Sequence, residues 1–200
     1  MGQPLIFGFV LFAAVTLFTP GPNNIMLMSS GLTYGFRQTR PHIAGVALGF
    51  ALMVALMGLG LGAIFTAYPA LQIVLKYAGA AYLIYLAIMI AVSGPVPDGE
   101  AAQGRPMTFV GAALFQWVNV KGWVIALGTI TTYAALASYP WNVAVQTLLV
   151  LVVGTFSSVT WVLFGTALRP LLTSPRKVRV FNVVMAVLLL GSLYPALADF

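Results

Sequence analysis

The stretch Thr19-Pro20-Gly21-Pro22-Asn23-Asn24 lies inside an apolar segment that runs from Leu5 to about Leu32. Two prolines and a glycine in three positions stop an α-helix, because proline lacks a backbone N–H and clashes with the preceding turn. Lipid tolerates such freed backbone groups only where they face protein or a water-filled cavity. Transporters hold substrate at broken helices of this kind. We therefore predict a broken first helix and a substrate site lined by Pro20, Gly21, Pro22, Asn23 and Asn24; a proline-kinked helix packed on a neighbour is the alternative.

The composition indicates a protein that lies almost wholly in a membrane. Hydrophobic residues make up 61% of the 200 residues and charged residues only 6%, whereas soluble domains carry about 25% charge. The net charge of +6 comes from basic residues spread over the predicted loops, so we expect no nucleic-acid partner. The chain has no cysteine, which excludes thiolate metal sites and thiol redox chemistry. We expect no cofactor and no metal.

Six apolar segments divide the chain into two similar halves. They cover about 5–32, 43–67, 70–92, 108–133, 143–168 and 180–197, and a membrane-spanning helix needs about 20 apolar residues. The polar, Pro- and Gly-rich stretch 93–107 separates the third segment from the fourth. The sequence therefore predicts an all-α polytopic membrane protein with six transmembrane helices arranged as two inverted three-helix repeats. These are a first repeat at 1–92, a cytoplasmic linker at 93–107 and a second repeat at 108–200.

The distribution of basic residues predicts the orientation. The loops after the first, third and fifth segments hold seven of the nine basic residues, namely Arg37, Arg40, Arg105, Arg169, Arg176, Lys177 and Arg179. Basic loops stay in the cytoplasm, so both termini are predicted outside. We expect Lys76 to reach the outer headgroups and His42 to lie at headgroup level on the cytoplasmic side. Tyr68, Tyr139, Trp141 and Tyr194 are expected to form an outer aromatic belt.

The repeat predicts a polar interruption in segment four, and the sequence has one from Gln116 to Trp123. Lys121 is the only ionisable residue near the centre of a predicted span, where a charge costs at least about 2.5–3.5 kcal/mol. We predict that Asn119 and Lys121 bind substrate and that Trp117, one helical turn before Lys121, covers its ammonium. Two alternatives stay open: Lys121 is neutral, or it bonds the carbonyls freed at the first break.

Two geometric questions also stay open. Asn119 and Lys121 point about 200° apart on a regular helix, so they face one cavity only if the helix unwinds near Gly122. The depths of the two interruptions fit either one shared cavity or a cavity and its gate.

The acidic residues are too few for carboxylate chemistry inside the membrane. Asp98, Glu100 and Asp199 all lie outside the predicted spans. If transport is coupled to protons, Lys121 is the main carrier candidate and His42 a weaker one. A zwitterion suits the groups present, since its carboxylate pairs with Lys121 and half-helix N–H groups. We expect the hydroxyls of Thr155, Ser158 and Thr160 to pack between helices.

These residues resemble the LysE/RhtB family of amino-acid exporters. The resemblance rests on 19–23, the glycine-spaced start of segment two, Lys76-Tyr77-Ala78-Gly79-Ala80-Ala81-Tyr82-Leu83-Ile84-Tyr85-Leu86, and 116–121. The chain departs from the family at Asn23, where many relatives have Asp, and at Val120, which replaces the proline of an Asn-Pro-Lys motif. The Asn-Val-Lys version resembles the cysteine/O-acetylserine exporter branch.

The resemblance implies a secondary transporter, not an enzyme. It would be an antiporter of the bacterial inner membrane that uses the proton gradient to export small amino acids or related metabolites from the cytoplasm. Membrane lipid and a small amino acid are the expected partners, and a homo-oligomer is left open. The alternatives are a non-transporting membrane partner subunit and an exporter of a different small metabolite.

Overall fold

A computed structural model describes residues 2–61, 63, 67–92, 105–172 and 174–192. Seven α-helices are found there: α1 Gly2–Phe18, α2 Pro22–Leu56, α3 Pro69–Val92, α4 Phe109–Phe115, α5 Val120–Thr132, α6 Trp141–Leu168 and α7 Pro175–Gly191. A π-helical turn at Met57–Leu61 and 3-10 turns at Gln116–Val118, Ala134–Leu136 and Arg169–Leu171 join them. The described residues contain no β-strand. The predicted all-helical class is confirmed.

Helix α2 is a helical hairpin rather than one straight rod. Gly35 has φ 75° and ψ 172°, a conformation that side-chain-bearing residues rarely adopt. The hydroxyl of Ser30 and Nδ1 of His42 lie 3.1 Å apart in a hydrogen bond. In a straight helix, twelve residues would separate them by about 18 Å. The first arm (22–34) and the second arm (36–56) therefore run antiparallel, and helix replaces the polar loop that the sequence predicted around 34–42.

The α2 hairpin lies at the centre of the fold. It packs mainly on α6 and on α4, through glycines that bring the backbones together. A Cβ on Gly31 would overlap the carbonyl of Val162, and a Cβ on Gly45 would overlap that of Phe109. Gly45 and Gly49, four residues apart, thus allow close helix packing. Helix α3 packs on α7, and its Gly79 lies against the carbonyl of Val118.

The described helices support a multi-pass membrane protein. Three helical stretches are long and apolar enough to cross a membrane: Pro22–Leu61, which includes the 36–56 arm of the α2 hairpin, Ile73–Val92 and Trp141–Leu171. The pair Phe109–Val118 and Val120–Thr132, bent by 73°, makes a fourth if counted as one span. Six crossings and the inverted repeat stay predictions. The predicted linker lies outside the described residues from 93 to 104.

Two predicted interfacial residues are buried instead. His42 is 1% exposed and Lys76 is 9% exposed. The α2 hairpin explains the position of His42, because the second arm continues past it to Gly35 and encloses its ring against the first arm. Lys76 lies one helical turn before Gly79 on α3, on the side where that helix meets the 116–118 turn.

The aromatic residues of the predicted outer belt are exposed where the structure describes them. Tyr68, Tyr139 and Trp141 each leave about two thirds of their surface uncovered, as residues at a membrane interface would. Tyr194 lies outside the described residues.

Candidate functional site

The first helix break spans Thr19 to Gly21, between α1 and α2. Gly21 has an extended backbone, φ −173° and ψ −179°, and Pro22 opens α2 at a position where no N–H is needed. The freed carbonyls at the end of α1 accept side-chain donors. Asn24 Nδ2 donates to the carbonyls of Leu17 at 2.8 Å and Thr19 at 2.9 Å. The break is thus shorter than predicted, since Asn23 and Asn24 belong to the first turn of α2.

The second break lies at Asn119, in the apolar segment that begins at about residue 108. Asn119 has φ −85° and ψ 98° between the 3-10 turn and α5, and the chain bends there by 73°. The helix breaks although Val120 stands where the family pattern has proline. The carbonyl of Val118 at this turn is closely approached by Gly79 of α3, so tertiary packing supports the break.

Hydrogen bonds join the two breaks directly. Lys121 Nζ donates to the carbonyl of Thr19 at 2.8 Å and to that of Pro20 at 3.4 Å. Asn23 and Gln116 exchange a reciprocal amide pair, with N···O distances of 2.8 and 3.2 Å. Gln116 is fully buried. The alternative in which Lys121 bonds the carbonyls freed at the first break is therefore what the structure shows.

A small cavity of about 40 Å³ lies between the two breaks. A site needs about 10–15 Å³ to hold one water, so this space admits a few water-sized molecules but not an amino acid without rearrangement. Its walls come from both halves of the chain: Thr16, Leu17, Gly21, Pro22, Asn23, Asn24, Val46, Ala47, Phe50, Asn119, Lys121, Gly122, Ile125, Gly154, Ser157 and Ser158. Asn119 and Lys121 both line it, because the break at Asn119 provides the unwinding that a regular helix would lack.

Most of the predicted site residues meet at this cavity. Gly21, Pro22, Asn23, Asn24, Asn119 and Lys121 line it, and Pro20 contributes its carbonyl. Gly21 is closely approached by the Lys121 side chain, whose Cδ and Nζ would lie 2.9 Å from an added Cβ. One oxygen, Asn119 Oδ1, is buried without a hydrogen-bond partner among the described residues.

Trp117 is the exception. It does not line the cavity, and its ring packs edge-on against Trp123 at 5.7 Å. The Trp123 indole N–H also donates to the carbonyl of Trp117 at 3.0 Å. The expected stacking on Lys121 assumed an unbroken helix, whereas the 3-10 turn and the break at Asn119 lie between the two residues. Carbonyl oxygens take the place of the ring as partners of the ammonium.

The sequence interpretation missed three polar residues of the site. Gln116 was recognised as part of the polar interruption but not as a partner of Asn23. Ser157 donates to the carbonyl of Leu17 at 2.8 Å, and Ser158 lines the cavity although it was expected to pack between helices. A helical wheel of α6 places both serines on the face shared with Gly154, and that signal was available in the sequence.

The site offers hydrogen-bonding groups and the ammonium of Lys121. Among the residues that the structure describes, no group of three His, Cys, Asp or Glu side chains is placed to hold a metal ion. The arrangement suits a small polar ligand with both a negative and a positive end, because donors and acceptors converge on one cavity. Helical membrane proteins with paired helix breaks around an internal cavity form a class of secondary transporters.

The comparisons with known proteins identify the family within that class. The chain belongs to the LysE type translocator family, which matches residues 14–192. It is 36% identical over 193 residues to a cysteine/O-acetylserine efflux protein of Escherichia coli O139:H28 (strain E24377A / ETEC), covering 95% of this chain and 96% of the relative. The identity is also 36% to proteins of that name from Escherichia coli (strain K12) and Shigella sonnei (strain Ss046), over 94% of this chain and 95% of each relative.

No solved structure is significantly similar to the chain. The family resemblance stated from the sequence is confirmed, and so is the prediction that the chain is not an enzyme, because the family consists of translocators. The family and the apolar helices together support a multi-pass protein of the inner membrane.

Proposed function

We propose that this protein exports small neutral amino acids, cysteine and O-acetylserine among them, from the cytoplasm in exchange for protons. One observation carries the proposal: the helix breaks of the two halves share a cavity, and Lys121 bridges them by bonding the carbonyls of Thr19 and Pro20. The similarity to cysteine/O-acetylserine efflux proteins supports the cargo.

The cavity offers partners for both ends of a zwitterion. The carboxylate would pair with Lys121 and with the backbone N–H groups of Asn23 and Asn24, since first-turn amides have no acceptor within their own helix. The ammonium would bond Asn119 Oδ1, which is buried and unpartnered among the described residues.

Binding requires Lys121 to move. The space of about 40 Å³ is too small for an amino acid, which is several times the size of one water. When Lys121 turns to the substrate carboxylate, it leaves the carbonyls of Thr19 and Pro20 free for the substrate ammonium. The same oxygens would thus bond the lysine in the empty site and the cargo in the loaded one.

Proton coupling is assigned to Lys121 as well. The only acids of the chain are Asp98, Glu100 and Asp199, all outside the predicted spans, so an intramembrane carboxylate relay has no residue to use. A lysine that exchanges carbonyl partners for a carboxylate, and gains or loses a proton as it does so, couples cargo to protons with one side chain.

The proposed architecture is that of two inverted repeats, 1–92 and 108–200, with a cytoplasmic linker and both termini outside. Its support is that each half contains a helix break followed by a helical hairpin: Gly21 precedes the α2 hairpin, and Asn119 precedes the pair α5 and α6.

The test is efflux of labelled serine, cysteine and O-acetylserine from proteoliposomes, with and without an imposed pH gradient. We expect Lys121→Met to lower the export rate at least about tenfold, because a hydrogen bond to a charged group contributes about 1.5–3 kcal/mol and 1.4 kcal/mol is a factor of ten. Lys177→Met is the matched control, since Lys177 is exposed in the first turn of α7 and its substitution should leave the rate unchanged.

Wild-type export by Lys121→Met would refute the assigned site. Purified protein that moves none of the three amino acids, with or without the gradient, would refute the cargo and favour the alternatives of another metabolite or a partner subunit.

A further inference from the structure

Several buried polar side-chain atoms of the described residues have no hydrogen-bond partner. Among the described residues, such atoms belong to Ser29, His42, Asn119, Thr129, Asn142, Gln146 and Thr147. A buried polar group without a hydrogen bond costs free energy, so their distribution calls for an explanation. Asn119 lies at the central cavity. The others lie on α2, α5 and α6, three helices that also contribute residues to the cavity wall.

Helical spacing connects the α2 group to the cavity. Ser30 follows the cavity residue Asn23 by seven positions on the first arm, and His42 precedes the cavity residue Val46 by four on the second. Residues four and seven apart share a helix face, so the cavity-lining faces of both arms lead to the hydrogen-bonded Ser30–His42 pair. Leu27, which is fully buried, packs in one cluster with Val46 and closes the space between the cavity and the pair.

The same spacing holds on the opposite side. Thr129 follows the cavity residue Gly122 by seven positions on α5, and Gln146 precedes the cavity residue Ser157 by eleven on α6. Both are buried, at 1% and 0% exposure. An apolar cluster that contains Ile125 closes the space between the cavity and these side chains.

The Gln146 side chain ties this second group to the end of α5. Its Nε2 donates to the carbonyl of Tyr133 at 2.9 Å, one helical turn beyond Thr129. Its Oε1 and the hydroxyl of Thr129 have no partner among the described residues. Thr129 and Gln146 thus place two buried polar side chains near the C-terminal end of α5, as Ser30 and His42 place a hydrogen-bonded pair near the turn of the α2 hairpin.

We propose that the substrate route runs from the Ser30–His42 pair through the cavity to the Thr129–Gln146 pair. The apolar residues Leu27 and Val46 on one side, and Ile125 and Val150 on the other, would act as two gates between the cavity and these pairs. This inference rests on the proposed transport function and adds two binding stations to it. The cytoplasmic station is the Ser30–His42 pair, and the outer station is the Thr129–Gln146 pair.

The chemistry of the stations fits a zwitterion in transit. Hydroxyl, amide and imidazole groups donate as well as accept hydrogen bonds. They can solvate an ammonium and a carboxylate in turn without a fixed charge that would retain either end. The lone fixed positive charge of the route would then be Lys121, at its middle.

The absence of cysteine from the chain makes the route directly testable by thiol labelling. Single variants Ser30→Cys and Thr129→Cys would be treated with a membrane-impermeant methanethiosulfonate reagent in right-side-out and in inverted membrane vesicles, with serine present to cycle the transporter. Each position has a lipid-facing control at the same depth. The control for Thr129 is Thr131→Cys, since Thr131 lies two residues away on the exposed face of α5. The control for Ser30 is Thr160→Cys, since Thr160 lies on the exposed face of α6, close to Val162, which contacts Gly31.

We expect Ser30→Cys to react from the cytoplasmic side only and Thr129→Cys from the outside only. Each should react at least about tenfold faster than its control, because the reactive thiolate forms in a wet passage and not in lipid. Gln146→Cys provides a second measurement of the outer station if Thr129→Cys fails to fold.

Equal labelling of the stations and their controls would overturn the route, and so would labelling of both stations from one side. Efflux by the wild-type chain is measured in parallel. Labelling as expected without efflux of any of the amino acids refutes the proposed cargo and leaves the route standing. Normal efflux with unreactive stations refutes the route alone.

Discussion

The reciprocal amide pair between Asn23 and Gln116 should hold the two helix breaks together. Its N···O distances are 2.8 and 3.2 Å, and Gln116 is fully buried. Hydrogen bonds between membrane helices contribute about 0.6 kcal/mol each on average in double-mutant cycles. Two such bonds give an expected coupling energy of about 1.2 kcal/mol between the two side chains.

The single substitution Gln116→Leu should cost more than the coupling energy. It also removes the bond from Gln116 Nε2 to the carbonyl of Ala112 at 2.8 Å and leaves the Asn23 amide without its partner. An unsatisfied buried amide costs about 1–3 kcal/mol. We therefore expect a loss of about 2–3 kcal/mol in the free energy of unfolding, by the same principle.

The assay is a double-mutant cycle of Asn23→Ala and Gln116→Leu, with unfolding by denaturant in detergent micelles or bicelles. The control cycle combines Asn23→Ala with Gln146→Leu, because Gln146 bonds the carbonyl of Tyr133 and not Asn23. Mutations without a shared contact add to within about 0.3–0.5 kcal/mol. A coupling energy for Asn23 and Gln116 no larger than that of the control cycle would refute the contact between the breaks.

Two glycine substitutions test the packing and the site separately. Gly31→Ala should lower the unfolding free energy by about 1–3 kcal/mol, since its Cβ would overlap the Val162 carbonyl. The control Gly191→Ala should not destabilise the protein, because its Cβ would meet nothing within 4 Å. Equal melting temperatures for the two variants would contradict the predicted overlap. Gly21→Ala should reduce amino-acid efflux, because its Cβ would displace the end of the Lys121 side chain. The melting temperature should stay within a few degrees of wild type, since only that flexible side chain has to move. Unchanged efflux would show that transport does not depend on the position of the Lys121 ammonium.

The sequence determined the class of the protein because the determining properties are local. An apolar composition of 61% indicates a membrane environment, and Pro20 and Pro22 end the helix that precedes them through their own local geometry. Lys121 could be singled out as a candidate site residue for the same reason, since a charge in the middle of an apolar segment is costly in any fold that spans a membrane.

Only the tertiary structure decided how these features meet. No proline marks the break at Asn119 in the sequence. The break lies where Gly79 of α3 packs against the 3-10 turn Gln116–Val118. The partner of Asn23 is Gln116, 93 residues away, and the ammonium of Lys121 found carbonyl oxygens instead of the Trp117 ring. His42 was assigned to the headgroups but is enclosed by a hairpin that turns at one glycine, Gly35. Helix propensity and hydropathy act over a few neighbouring residues, whereas each of these contacts depends on how helices from both halves pack together.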